Sequence, residues 1–370
     1  MRKSRKSLQQ KTMYEPPVSF FENHYANGGE FALHRAVISG NLQDIHNLIS
    51  LGFDINVSDT ITHTYENFGT PLHLAVWCNR PASLEALLSR GCDLNVLDEG
   101  SYVRDRDTPI TMAIALGRRE MVKRLFDAGA EHSKYDEVTG EWSRWSLLTV
   151  AAYHGRDDIL QDLFLWRAEW PQIHRDNALY LYTTAVYPDV VGVLIENGNY
   201  TAETLRDGIQ FATTNEPCLE QQDWPPPSTN ARLSTLDGDS LRQEKSLGAL
   251  LDAYAARVED STVYFATLNS LLHASCSSPF TIGALRLLLR RGADVNFRSE
   301  RRKESPMHIA VRRRRDTRKC NEEGVVQLLK YGASLDIRDE EGKTVVDIAK
   351  REGNEDIAEL LLQCGVSMSW

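Results

Sequence analysis

The chain has 370 residues, 42% of them apolar and 25% charged, with a net charge of −10. Acid excess argues against a general nucleic-acid binder, because a phosphate backbone is gripped by a basic surface. No apolar run approaches the ~18 residues that mark a membrane-spanning helix, and the basic opening MRKSRKSLQQK leads into no apolar signal core.

The six cysteines (78, 92, 218, 276, 320 and 364) lie far apart and form no Cys-x-x-Cys pair. They read as reduced thiols, neither a disulfide framework nor a zinc site, so a cytoplasmic and/or nuclear protein is expected. In chain order, residues 1–30 come first. They are basic, lie outside the repeats that follow, and are expected to be partly disordered, at least up to about Pro16.

From Phe31 a template begins. In FALHRAVISGNLQDIHNLISLGFDIN (31–56) and TPLHLAVWCNRPASLEALLSRGCDLN (70–95), His34 and His73 each stand 18 residues before a glycine, Gly52 and Gly91. Alanine follows two residues after each histidine (Ala36, Ala75), and apolar residues follow at +11, +14 and +15. The same spacing recurs from Thr111, Thr149, Tyr180 and Asp347. Two copies depart from it: Arg167 replaces the glycine in the fourth, and Tyr182 replaces the alanine in the fifth. Two further copies, after His273 and His308, carry insertions between their helices. A ninth starts at Gln210 and resumes at Leu247, Leu250 and Leu251 beyond a polar, proline-rich loop, 214–239.

Each copy predicts two helices. Thr70-Pro71, Thr108-Pro109 and Ser305-Pro306 supply a capping hydroxyl and a proline at the first helical position. The alanine allows close approach of neighbouring helices. The +11, +14 and +15 residues make one apolar stripe of a second helix, and the glycine ends it in a left-handed turn. The register divides the chain into nine repeats, 31–66, 67–105, 106–144, 145–175, 176–205, 206–266, 267–302, 303–341 and 342–370.

TPLHLA (70–75), RGADVN (291–296) and DEEGKT (339–344) make residues 31–370 resemble the ankyrin-repeat family. That resemblance implies an all-α solenoid of about nine helix-turn-helix repeats with hairpin fingers. It also implies a protein-binding role, with the first helices and the fingers lining a concave groove. On this reading Trp77, Leu116, Tyr153 and His154 face the groove in its N-terminal half, and Arg312 and Arg313 near its C-terminal end. The first three fingers are enlarged and carry Tyr65, Tyr102, Trp142 and Trp145, ring types that interfaces favour as anchors. The stretch 297–319 holds ten Arg or Lys against three acids, so an acidic partner segment is expected there.

Catalytic patterns are weak. Gly342-Lys343-Thr344 lacks the earlier glycine of a phosphate loop, since Ile337 stands there. His34, His73 and His308 recur at a structural position of the repeat. His154, with Asp157 and Asp158 close behind, is read first as a surface contact and only second as an acid–base pair. The leading expectation is a non-enzymatic adaptor or scaffold, monomeric by itself, with no metal or cofactor, that binds a protein offering an apolar segment and acidic residues. The alternative is an enzyme or small-molecule binder that uses the groove as its active site and loop 214–239 as a lid.

Overall fold

The computed structural model describes residues 18–24, 31–59, 68–98, 107–131, 135–136, 141–142, 146–182, 187–214, 237–276, 282–312 and 322–367. These divide into two compact units, Met1–Ala178 and Leu179–Trp370.

The first unit opens with a short helix, α1 (Val18–His24), and continues as antiparallel helix pairs. The first helices of the pairs are α2 (Ala32–Ser39), α4 (Pro71–Trp77), α6 (Pro109–Ala115) and α8 (Leu147–Tyr153). The second helices are α3 (Leu42–Ser50), α5 (Pro81–Leu88), α7 (Arg119–Asp127) and α9 (Asp157–Trp166). α2, α4, α6 and α8 stack in one layer, and α3, α5 and α7 stack in another. Between α7 and α8 lies the one described hairpin, β1 (Tyr135–Asp136) against β2 (Glu141–Trp142), with Tyr135 opposite Trp142.

α10 (Gln172–Tyr182) crosses from the first unit into the second. Then follow α11 (Pro188–Asn197), α12 (Ala202–Thr214), α13 (Asp237–Ala255), α14 (Ser261–Ser275) and α15 (Ile282–Arg290). The unit closes with α16 (Pro306–Ala310), α17 (Glu322–Lys330), α18 (Val345–Arg351) and α19 (Glu355–Ser367). Again two layers form: α12, α14, α16 and α18 pack in sequence, as do α11, α13, α15 and α17.

The sequence template explains this layering. Ala75, Ala113, Ala151, Ala310 and Ala349 are fully buried where first helices meet, and Leu84, Leu87, Val122, Leu125, Leu160 and Leu163 fill the space between layers. A single helix pair cannot bury its own stripe, so each repeat is stabilised by its neighbours. α4, α6 and α16 begin at Pro71, Pro109 and Pro306, with Thr70, Thr108 and Ser305 as N-caps, where the Thr-Pro and Ser-Pro steps place them.

Several local expectations are corrected. Gly52, Gly91, Gly129, Gly292 and Gly332 do take positive φ, but Gly198 is right-handed (φ −80) and Asn199 makes the left-handed turn (φ 48) instead. Glycine is still required at 198, because a Cβ there would lie 2.1 Å from the Tyr200 ring. Gly365 lies inside α19. The inserted loop is shorter than 214–239: Thr214 belongs to α12, Asp237, Gly238 and Asp239 open α13, and residues 215–236 lie outside the described residues.

Candidate functional site

The surface of interest is the edge where first helices meet the fingers, and its geometry is fixed by three recurring polar devices. At the start of α4, the His73 ring accepts at Nδ1 from the Thr70 N–H (3.1 Å), so Nε2 carries the proton and donates to Asp107 O in the next repeat (3.2 Å). His308 repeats the arrangement with Ser305 N–H (3.2 Å) and Lys343 O (3.3 Å), and His273 Nε2 donates to Glu304 O (2.8 Å). The histidine therefore ties one repeat to the next as well as capping its own helix. Burial pushes the His273 and His308 imidazoles below their ordinary pKa, which keeps them neutral for this role.

The second device closes the fingers. Buried Asp59 accepts from the Phe68 N–H (2.7 Å) and the Gly69 N–H (2.8 Å), and Asp98 accepts from the Asp107 N–H (2.7 Å). Asp339 does the same for the short finger, accepting from Glu341 N–H and Lys343 N–H, both at 2.9 Å. The surplus residues of the first two enlarged fingers are thus held at their bases by a clasp that the short finger also uses. A ladder of asparagines then links successive fingers. Asn56 accepts from Asp93 N–H (2.8 Å), Asn95 from Glu131 N–H (2.9 Å) and Asn296 from Ser334 N–H (2.8 Å).

The third device was missed in the sequence. Seven residues after the reference position, a long polar side chain reaches back to a carbonyl in the preceding first helix or its C-cap. Arg80 Nε donates to Ile38 O (2.9 Å), Arg156 Nη2 to Ala115 O (2.5 Å), and Asn354 Nδ2 to Val311 O (2.8 Å). The signal is the recurrence of Arg80, Arg118, Arg156 and Asn354 at one register position.

Against this frame the predicted site residues separate. Trp77 is buried, only 4% exposed, and so is Leu116 at 6%; neither presents a free groove surface as expected. For Trp77 the cover is a cluster of rings. Phe68 lies edge-on at 6.2 Å, and Phe21 of α1 sits 6.1 Å away. Leu116 is the C-cap of α6 and packs into the turn that leads to α7. Tyr153 and His154 are half-buried at the end of α8, their rings edge-on at 4.9 Å, and Asp157 and Asp158 form the first turn of α9.

Arg312 is half-buried and paired with buried Glu304, so it is not a free groove cation. Trp142 lies in β2, its side chain outside the described set; Tyr65, Tyr102, Trp145 and Arg313 lie outside the described residues altogether. Sequence reasoning gave less weight to the finger that precedes α16. Arg298, Arg301, Arg302 and Lys303 are all exposed there, against exposed Glu300. It is knit to the next finger, since Glu340 N–H donates to Arg302 O and the Arg298 side chain donates through Nη2 to Arg338 O, both at 2.9 Å.

Two surface hollows lie in the first unit. One of about 450 Å³ sits beside α1, near Arg35 and Asp44, and one of about 510 Å³ lies on the outer helices near His46 and Arg124. Neither includes His154, Asp157 or Asp158, the residues the acid–base reading would use. Among the described residues, no helix is long and apolar enough to cross a membrane, and no cluster of three or more His, Cys, Asp or Glu is placed to hold a metal.

No curated protein sequence matches the chain. The family model for ankyrin repeats matches it over residues 72–173 and 269–369, more than half its length, with three copies. That match takes in the helix pairs from α4 to α9 and from α16 to α19, and the chain belongs to the ankyrin-repeat family.

Proposed function

We propose that the chain is a non-enzymatic adaptor of the cytoplasm or nucleus that binds another protein through its fingers and the adjoining face of its first helices. Ankyrin repeats are in general protein-interaction modules, and the polar devices above set a rigid frame from which side chains project. The observation that carries the reading is the finger tip Arg301-Arg302-Lys303. It is exposed, positive, and fixed to its neighbour by the backbone hydrogen bond from Glu340 N–H to Arg302 O, so its charges are pre-positioned for an acidic segment. Half-exposed Tyr153 supplies an apolar contact in the first unit.

A partner captured by pull-down and mass spectrometry makes the reading testable. Arg301→Ser/Arg302→Ser/Lys303→Ser should slow association about tenfold at low salt and flatten its salt dependence, because exposed charge steers encounter. Tyr153→Ala should act on the dissociation rate instead. Unchanged association of the triple variant at every salt concentration would remove the finger from the site.

A further inference from the structure

Residues 18–24 lie outside the repeats, yet α1 packs against α2 and sets its aromatic pair into the rings of the second repeat. Phe21 is fully buried, 4.9 Å from Phe68 with the rings at 78°, and 6.1 Å from Trp77. Phe20 meets Phe68 edge-on at 5.7 Å. The Cys78 thiol beside Trp77 is pushed up to about 11, first by burial, and Glu22 of α1 adds to the rise. Trp77 and Cys78 are the two residues whose register points them at the groove. The chain's own helix therefore sits at the groove's second station.

We propose that Phe68 and Trp77 form a socket for a short amphipathic helix bearing two adjacent aromatic residues, and that α1 is its resident, displaceable occupant. This rests on the adaptor reading above. Three features bear on how firmly α1 is held. It has seven residues, as α4, α6, α8 and α18 do, but it lies outside the helix pairs that stabilise those, and seven residues are too few for a stable helix on its own. Among its described side chains Phe21 alone is fully buried, while Val18 and Phe20 are half-buried and Ser19 and Glu22 face solvent. It also carries no part of the repeat template, so its removal leaves every helix pair with its partner. The socket itself belongs to the rigid frame, because Phe68 N–H is held by buried Asp59 and Trp77 ends α4. A pre-formed site with a weakly held occupant accepts a partner helix in the helix-in-groove mode, and the residues that α1 presents state the chemistry accepted. The partner pays the cost of displacing α1, so its apparent affinity falls with the fraction of sockets already filled.

The test uses the full chain and a fluorescent peptide, EPPVSFFENHYA, which is the chain's own 15–26. Phe20→Ser/Phe21→Ser in the protein should empty the socket and raise peptide affinity at least tenfold over wild type. Adding Trp77→Leu should remove that gain, and a peptide with the same two serines should not bind. Equal peptide binding by wild type and a folded double variant overturns the proposal. Hydrogen exchange on the unmodified chain gives an arm that no unfolded variant can spoil. The α1 amides should exchange at least a hundredfold faster than those of α4, and equal protection would make α1 a fixed cap and overturn it as well. A concentration-dependent dimer of the wild type that the double variant lacks would assign the socket to a second copy, against a separate partner. The socket contains no residue of the basic finger. A silent peptide with finger-dependent partner binding therefore sinks the socket alone, whereas a finger variant with full partner binding sinks the adaptor surface alone.

Discussion

At the scale of the residue, the histidines at the head of the first helices each satisfy two backbone groups in separate repeats. His308 is fully buried, accepts from Ser305 N–H and donates to Lys343 O. Replacing it by alanine leaves the buried Ser305 N–H unmet, at about 1–3 kcal/mol for such a group, and cuts the tie to Lys343 O. We expect His308→Ala to lower the stability of the second unit by roughly 1–3 kcal/mol, read as a shift in urea midpoint. The pH dependence follows from the same burial. His273 and His308 bind protons less readily folded than unfolded, where the imidazole titrates near 6.5. Their neutral-state stabilisation is complete above that value and is lost as pH falls below it, since the unfolded chain then takes up more protons. Urea midpoints should drop between about pH 7 and pH 5, and drop less in His308→Ala. The capping role of Thr70, Thr108 and Ser305 was legible in the Thr-Pro and Ser-Pro steps, because a cap is a contact within four residues. The reach of His73 to Asp107 O was not, because its acceptor belongs to the next repeat.

At the scale of the element, the fourth repeat shows how a departure from the template can be a gain. Arg167 stands where glycine is expected, and there the backbone is extended (φ −129), not left-handed. Its guanidinium lies 4.7 Å from the Trp170 ring centroid and 5.4 Å from that of Phe126, and pairs with Glu131 at 3.2 Å. Arg167→Gly, which restores the repeat pattern, should therefore destabilise. Cation–π contacts of about 0.5–1 kcal/mol each and an exposed ion pair of at most about 1 kcal/mol suggest a loss of about 1–2 kcal/mol, measurable by denaturant unfolding. The sixth repeat carries a different departure. α12 ends at Thr214 and α13 begins at Asp237, with Leu247, Leu250 and Leu251 fully buried as the register requires. The polar, proline-rich sequence between them predicts that limited proteolysis cuts first within 214–239 and leaves fragments that stay associated through the α12–α13 packing. First cuts elsewhere would refute that expectation.

At the scale of the molecule, stability is a sum of repeat and nearest-neighbour terms, and the ends of the array expose part of the stripe that interior repeats bury. Leu48 of α3 is half-buried where Leu87 and Leu125 are fully buried, and Leu362 of α19 is 49% exposed where Leu88 and Phe126 are half-buried. The chain divides into two units; five of its seven tryptophans (77, 142, 145, 166 and 170) belong to the first and only Trp224 and Trp370 to the second, so fluorescence is weighted toward the first unit. Tryptophan fluorescence and far-ultraviolet dichroism should therefore give different urea midpoints, whereas coincident curves would show one cooperative transition. The sequence by itself determined the helix pairs, their register, most of their caps and the small residues at their contacts. Each of these is written in local spacing, and each repeats often enough to be read through individual departures. Only the tertiary structure decided which register positions stay accessible. Trp77 carries the same position as half-exposed Tyr153 and as buried Ile38 and Ala115, and its cover includes Phe21, which lies outside the repeats and has no place in the template. Arg312 reads as a free cation until Glu304, buried at the base of the preceding finger, is found against it. Exposure depends on what packs from a distance in the chain, and periodicity carries no record of that.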